Sequence, residues 1–249
     1  MNIKHFKYLI PSVLLVILYS CSYEDSSSDT DTENGTGGSM ARFTIVGDHL
    51  FTVDNENLGI FDISSAEDPE YIDKSYVGFG VETISPFGDK LFLGTSSGMY
   101  IYNINANGNP EKLSFYEHVI ACDPVVSDGK FAYVTLSTGR QGCWRSVNEL
   151  HIIDVQNIKN PQIVKQYSMT NPRGLAIRND TLWVCDEGLK ILDVSDKSNI
   201  EQLYYFDNLA ANDLILDDDR ALVIGESGLI QYKIENGIIK KLSEIPVGL

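Results

Sequence analysis

The stretch Leu58-Gly59-Ile60-Phe61-Asp62-Ile63 alternates apolar side chains and ends on an Asp, and it does not occur once. It returns as Met99-Tyr100-Ile101-Tyr102-Asn103-Ile104, Leu150-His151-Ile152-Ile153-Asp154-Val155 and Leu189-Lys190-Ile191-Leu192-Asp193-Val194. A last, divergent copy is Leu229-Ile230-Gln231-Tyr232-Lys233-Ile234. Alternation with period two is the pattern of a β-strand with one face buried. A strand phrase repeating roughly every forty residues identifies a unit that must stack on its neighbours to bury its apolar face.

Three further marks travel with the phrase. Upstream lies a second strand-like run whose large apolar residue is Phe51, Phe92, Tyr133, Trp183 or Leu222. Turn formers precede these runs, namely Gly47-Asp48, Gly88-Asp89, Asp128-Gly129, Asn179-Asp180 and Asp217-Asp218-Asp219. Pro69, Pro110 and Pro161 each follow the Asp position by the same interval, and proline punctuates the turn before a fourth strand. Each unit therefore reads as four short strands, as in Glu82–Ser85, Lys90–Thr95, Met99–Ile104 and Glu111–Tyr116. Four strands in about forty residues is the size of a propeller blade. The fold expected is all-β, a β-propeller of five four-stranded blades over residues 41–249. An open β-sandwich would account for the strand count but not for the constant Asp-to-Pro interval.

The phrase Gly188-Leu189-Lys190-Ile191-Leu192-Asp193-Val194 resembles the LVIVD repeat of bacterial surface and secreted propellers. Cys122-Asp123-Pro124-Val125-Val126, Tyr133-Val134-Thr135-Leu136 and Met169-Thr170-Asn171-Pro172-Arg173-Gly174-Leu175 resemble the repeats of LVIVD-type lipoproteins of Bacteroidetes. The resemblance covers residues 42–249 and implies a β-propeller lipoprotein. It implies no reaction.

The N-terminus points the same way. Lys4 and Lys7 precede a short apolar run from Tyr8 to Tyr19, too short and wrongly flanked for a durable membrane span. The run ends Leu18-Tyr19-Ser20-Cys21, which resembles a bacterial lipoprotein processing site and implies cleavage before Cys21 and its acylation. Residues 21–40 form an acidic Ser, Asp, Thr, Glu and Gly tether with too little apolar surface to bury a core. Glu24-Asp25 behind Cys21 resembles the signal that sends some lipoproteins to the outer cell face. The expected location is the cell envelope, lipid-anchored to the outer membrane on its periplasmic or surface side. The 249 residues carry 19 basic and 35 acidic side chains, a net charge of −16, which becomes −18 once Lys4 and Lys7 leave with residues 1–20. Nucleic acid is excluded as a partner, because its recognition needs a basic footprint. The membrane is reached only through the lipid.

Propeller topology assigns one set of loops to one face. The loops leading into the first strands bring Glu82, Cys122-Asp123, Asn171-Pro172-Arg173 and Asn212-Asp213 to the channel mouth. The loops between second and third strands add Asp54–Asn57, Ser96-Ser97, Asp186-Glu187 and Glu226-Ser227. Converging polar groups make this mouth the candidate binding site, with Glu82, Asp123, Asn171, Arg173 and Asp213 foremost. Arg173, a cation among carboxylates, can clamp an anionic group or neutralise Asp123. The third unit is longer than the others because Ser137–Glu149 is inserted between its second and third strands. That insertion brings Arg140, Trp144 and Arg145 to the same face, a composition typical of binding hot spots.

Cys122, Cys143 and Cys185 also fall on this face, and an oxidising compartment makes a Cys122–Cys143 disulfide the expected pairing. Cys185 is then a buried small apolar residue. No CxxC pair or His cluster suggests zinc, no metal or other cofactor is expected, and no GxSxG, HExxH or phosphate loop occurs. The leading functional expectation is a non-enzymatic scaffold binding a glycan, a peptide or an envelope protein. The alternative is a carbohydrate-active enzyme in which channel carboxylates such as Glu82, Asp123 and Asp213 do acid and base work. A structural or adhesion module is the third reading.

Overall fold

A computed structural model describes residues 37–118, 124–138, 147–235 and 237–247. Among the described residues there are twenty strands in five four-stranded antiparallel sheets and no helix. Blade 1 holds β1 (Phe43–Val46), β2 (His49–Val53), β3 (Asn57–Asp62) and β4 (Glu70–Tyr76). Blade 2 holds β5 (Val81–Phe87), β6 (Lys90–Thr95), β7 (Gly98–Ile104) and β8 (Pro110–Glu117). Blade 3 holds β9 (Val125–Ser127), β10 (Phe131–Leu136), β11 (Glu149–Asp154) and β12 (Gln162–Ser168). Blade 4 holds β13 (Pro172–Arg178), β14 (Thr181–Asp186), β15 (Leu189–Asp193) and β16 (Glu201–Phe206). Blade 5 holds β17 (Ala211–Asp217), β18 (Arg220–Gly225), β19 (Gly228–Glu235) and β20 (Ile238–Pro246). The repeat phrase is the third strand of every blade, and the interval bearing the insertion lies between β10 and β11.

The repeat Asp has a local task. Asp62, Asp154 and Asp193 end the third strand, and a carboxylate oxygen of each accepts the amide two residues on, from Ser64 (2.8 Å), Gln156 (2.9 Å) and Ser195 (2.8 Å). These bonds close the turn that sends the chain back as the outer strand. Hydrogen bonds from Ser64 and Ser195 hold Asp62 and Asp193 below the ordinary carboxylate value. The prolines stand where the fourth strand begins, just before β4 and β12 and as the first residue of β8. At that position no ladder donor is lost. All five blades also carry a register shift between third and fourth strands at the same place, from Ile60/Phe61 to Gln231/Tyr232. The shift bends the outer strand and increases its twist.

Alternation along the second strand produces two apolar faces, and the core is built between blades. Phe51, Leu58 and Ile60 of blade 1 pack on Ile84, Leu91 and Leu93 of blade 2. Phe92, Met99 and Ile101 of blade 2 pack on Ala132, Val134 and Ile153 of blade 3. Tyr133, Leu150 and Ile152 continue onto Leu182, Val184 and Leu192 of blade 4. Trp183, Leu189 and Ile191 continue onto Leu214, Ala221 and Val223 of blade 5. In blades 1 to 4 the second-strand aromatic, Phe51, Phe92, Tyr133 or Trp183, packs on the next blade. Successive first strands, β1 to β5, β5 to β9, β9 to β13 and β13 to β17, touch along the inner wall.

Candidate functional site

The first described residues bear directly on the channel mouth. Ser39 is buried, and its Oγ donates to Asp213 Oδ1 (3.1 Å) while accepting the Leu175 amide (2.8 Å). The Met40 amide donates to the other Asp213 oxygen at 3.1 Å. The Ala41 carbonyl accepts the Ile84 amide (3.0 Å) and the Arg42 carbonyl accepts the Val53 amide (2.8 Å). Residues 38–42 thus form a strap tied to the first strands of blades 2, 4 and 5 before the chain enters β1. Composition alone assigns Ser39 and Met40 to the tether; they are part of the folded unit.

Asp213 is the pin of this strap. Gly38 and Gly174 flank its carboxylate so closely that a Cβ on either would overlap it. Burial pushes the Asp213 carboxyl above the ordinary value, opposed by hydrogen bonds from Leu214, Met40 and Ser39. Its oxygens are engaged within the chain, which gives the residue a structural task.

The open polar site lies beside the strap, in a groove of about 390 Å³ between blades 4 and 5. Four loops of the mouth face meet there: the lead-in to β13 (Asn171, Arg173), the β14–β15 turn (Glu187, Gly188), the β16–β17 connection (Asp207 to Ala210) and the β18–β19 turn (Glu226). Each is fixed from behind. Asp186, fully buried, accepts the amides of Thr170 (3.0 Å) and Asn171 (2.5 Å) and the Lys190 ammonium (2.6 Å). The Tyr205 hydroxyl donates to the Glu187 carbonyl at 2.8 Å, holding a residue at φ +46°. The Glu226 amide donates to the Ala210 carbonyl at 3.1 Å. The Arg173 guanidinium donates to Asn212 Oδ1, and the Arg173 carbonyl accepts the Thr135 hydroxyl at 2.6 Å. The groove is thus lined by one oriented cation, Arg173, together with Glu187, Asp207 and Glu226 and with Asn171 and Asn208. Such a set accepts and donates hydrogen bonds at once, and its net charge is negative.

A second polar cluster, which sequence reading misses, lies on the same face where blade 2 meets blade 3. His151 is 2% exposed, its Nε2 is 2.8 Å from Glu149 Oε2, and its Nδ1 is 3.4 Å from the Tyr116 hydroxyl. The His118 ring stands edge-on to it at 6.3 Å between centroids. Burial holds His151 below the ordinary imidazole value, with Glu149 pulling the other way and His118 adding to the depression. In sequence the Tyr116–His118 pair lies far from the Glu149–His151 pair, and only the packing of blade 2 on blade 3 gathers them.

Of the residues singled out from sequence, Asn171 and Arg173 line the groove, Asp213 holds the strap, and Glu82 is half-buried in β5 away from the groove. Cys185 is buried as a free thiol, and burial raises its pKa. Cys21, Cys122, Asp123, Arg140, Cys143, Trp144 and Arg145 lie outside the described residues, and with them the Cys122–Cys143 pairing. The base of the insertion is described. Asn148 accepts from the Thr138 amide (3.1 Å) and donates to the Thr170 carbonyl (2.6 Å), while Ser137 donates to Asn171 at 3.2 Å. Asp207 and Asn208 were missed, since nothing marks them in sequence beyond their place before β17. Among the described residues no group of three or more His, Cys, Asp or Glu side chains is arranged to hold a metal ion.

Comparison with known proteins agrees with this architecture. Residues 173–204, which span blade 4, match the model of the LVIVD repeat. No curated protein is matched in sequence. Among solved structures the chain is similar to a protein of Lactobacillus plantarum, with a TM-score of 0.62 at 13% identity, covering 80% of this chain and 69% of that one. The periplasmic gluconolactonase of Pseudomonas aeruginosa gives 0.61 at 12% identity, covering 81% and 68%. A protein of Desulfotomaculum acetoxidans gives 0.62 at 12%, covering 88% and 70%. At these identities the likeness is one of fold. The chain is a five-bladed β-propeller that carries an LVIVD repeat in its fourth blade.

Proposed function

We propose that this protein is an exported binding scaffold, anchored to the outer membrane by acylation of Cys21, whose ligand occupies the groove between blades 4 and 5. The observation that carries the reading is Arg173, oriented by Asn212 and lining one open groove with Glu187, Asp207 and Glu226. Carboxylates accept from hydroxyl and ammonium groups, while Arg173 and the two Asn amides donate to oxygens. A neutral, polyhydroxylated ligand such as a glycan satisfies both halves; a peptide carrying a basic side chain and a free carboxylate is the other ligand of matching chemistry. The insertion supports the same site, because Ser137 at its base bonds to the groove residue Asn171. Arg140, Trp144 and Arg145 are its proposed contributors.

The Pseudomonas neighbour is a gluconolactonase, so turnover is the alternative to exclude. The test is a panel of soluble oligosaccharides and gluconolactone incubated with the purified chain, followed for both binding and product. The scaffold reading expects saturable glycan binding with the ligand recovered intact. It expects Trp144→Ala combined with Arg145→Ala to weaken that binding at least tenfold, about 1.4 kcal/mol, with thermal stability near wild type. Product that disappears in Glu82→Gln, Asp123→Asn or Glu226→Gln would replace the scaffold with an enzyme.

A further inference from the structure

The β4–β5 and β16–β17 connections both cross the mouth face, and the ladder register makes them comparable. Ala211 opens β17 opposite Gly225, and Val81 opens β5 opposite Thr95. The Glu226 amide donates to the Ala210 carbonyl (3.1 Å), as the Ser96 amide donates to the Gly80 carbonyl (3.0 Å). Phe79 therefore stands between blades 1 and 2 where Leu209 lines the groove between blades 4 and 5. Residues 37–118, which build both sides of this seam, are described without interruption.

The loop holds Phe79 out of an otherwise buried connection. Val77, Gly78, Gly80 and Val81 are buried, whereas Phe79 is 66% exposed. The Glu56 carbonyl accepts the amides of Val77 (3.0 Å) and Gly78 (3.3 Å), and the Asn55 carbonyl accepts that of Val81 (2.9 Å). The Tyr102 hydroxyl donates to the Val77 carbonyl at 3.1 Å. Gly78 and Gly80 lie at φ +141° and +75°, and a Cβ would overlap the Tyr100 ring at the first and the Ser96 hydroxyl at the second. An exposed apolar side chain signifies little by itself. Here the fixed backbone leaves the ring only its own torsions, so little ordering is left for a ligand to impose. The turns that tie the loop carry polar side chains, the exposed Asn55 and Glu56 between β2 and β3 and the half-buried Ser96 and Ser97 between β6 and β7.

We infer that Phe79 is the platform of a second sugar subsite on the mouth face, separate from the groove and suited to a neutral pyranose. The inference extends the glycan reading of this face and rests on that choice of ligand. A pyranose can lay its C–H groups on the negative face of an aromatic ring while its hydroxyls project around the edge. One ring-sized apolar spot held by turns that offer amide, carboxylate and hydroxyl groups matches both features. That polar setting favours a ligand with a polar edge over an apolar protein surface.

Phe79→Trp keeps an aromatic ring at the site and turns it into a reporter. The variant is titrated with short cello-, laminari- and malto-oligosaccharides, beside the parent, whose own tryptophans are Trp144 and Trp183. A saturable shift of emission to shorter wavelength, beyond that of the parent, is predicted with at least one series. Adding Asn55→Ala and Glu56→Ala, which leaves the carbonyls that hold the loop, is predicted to raise the sugar needed about tenfold. Tyr71→Trp, at an exposed aromatic near the opposite end of β4, is predicted to give no shift. Phe79→Trp combined with Arg173→Ala is predicted to keep the shift. A shift lost with Arg173→Ala, or sugar binding seen by calorimetry that Phe79→Trp does not report, would overturn the platform and leave the groove reading standing. A retained shift with calorimetric affinity unchanged in Arg173→Ala would support the platform and overturn the groove. Absence of both signals would overturn both.

Discussion

At the scale of single residues, the chain separates groups that hold the fold from groups free to meet a ligand. Asp213 and Arg173 stand near one another in the sequence pattern, and both were candidates for ligand contact. The structure gives Asp213 to Ser39 and Met40, and leaves Arg173 at the groove. Asp213→Ala should therefore act on stability, leaving two donors without their acceptor at a cost of about 2–4 kcal/mol. Calorimetry would read this as a drop in Tm of several degrees. Gly174→Ala should destabilise in the same direction by about 1–3 kcal/mol through overpacking against the Asp213 carboxylate. His151 gives a pH prediction. Its folded pKa lies below the unfolded value of about 6.5, so the unfolded chain takes up the proton first. Stability contributed by the neutral ring is present above that value and falls as the pH drops through the folded pKa. Denaturant midpoints measured from pH 7 to pH 5 should decline, and His151→Gln should flatten that part of the curve. The groups facing the ring are Glu149 on β11, Tyr116 on β8 and His118 just beyond it.

At the scale of the elements, the repeat was legible because each of its features has a local cause. Asp62, Asp154 and Asp193 close turns through their own side chains, and Pro69, Pro110 and Pro161 stand where the outer strand starts. Both causes act over a few residues and leave a mark in the sequence. The strap left none. Ser39 and Met40 look like tether because their partners, Asp213 and Leu175, are more than 130 residues away. The histidine cluster was hidden for the same reason, being assembled across two blades. The groove was half legible. The topology rule brought Asn171, Arg173, Glu187 and Glu226 to one face, but it could not show that the strap takes up Asp213 and that the opening lies between blades 4 and 5. Equivalent second-strand positions give a direct comparison between blades. Trp183→Ala, at a buried position of blade 4, should cost about 3–5 kcal/mol. Leu222→Ala, at the corresponding but half-buried position of blade 5, should cost less than half as much, and equal losses would contradict the difference in burial.

At the scale of the whole molecule, five blades in series produce a rigid frame with a mouth face, and the chain uses that face three times. The strap is tied there to first strands of blades 2, 4 and 5, the groove opens between blades 4 and 5, and the base of the insertion, Ser137 and Asn148, bonds to Asn171 and Thr170 beside it. The proposed function puts binding in the groove and not on acidic surface in general. Titration calorimetry with the glycan that binds best in the panel tests it through two arginines. Arg173 faces the groove, while Arg178 donates to the Asp218 carbonyl at the far end of the same strand. Arg173→Ala is predicted to weaken binding by tenfold to a hundredfold, about 1.4–2.8 kcal/mol, and Arg178→Ala to leave it unchanged. Equal affinity in the parent and both variants would rule the groove out as the binding site.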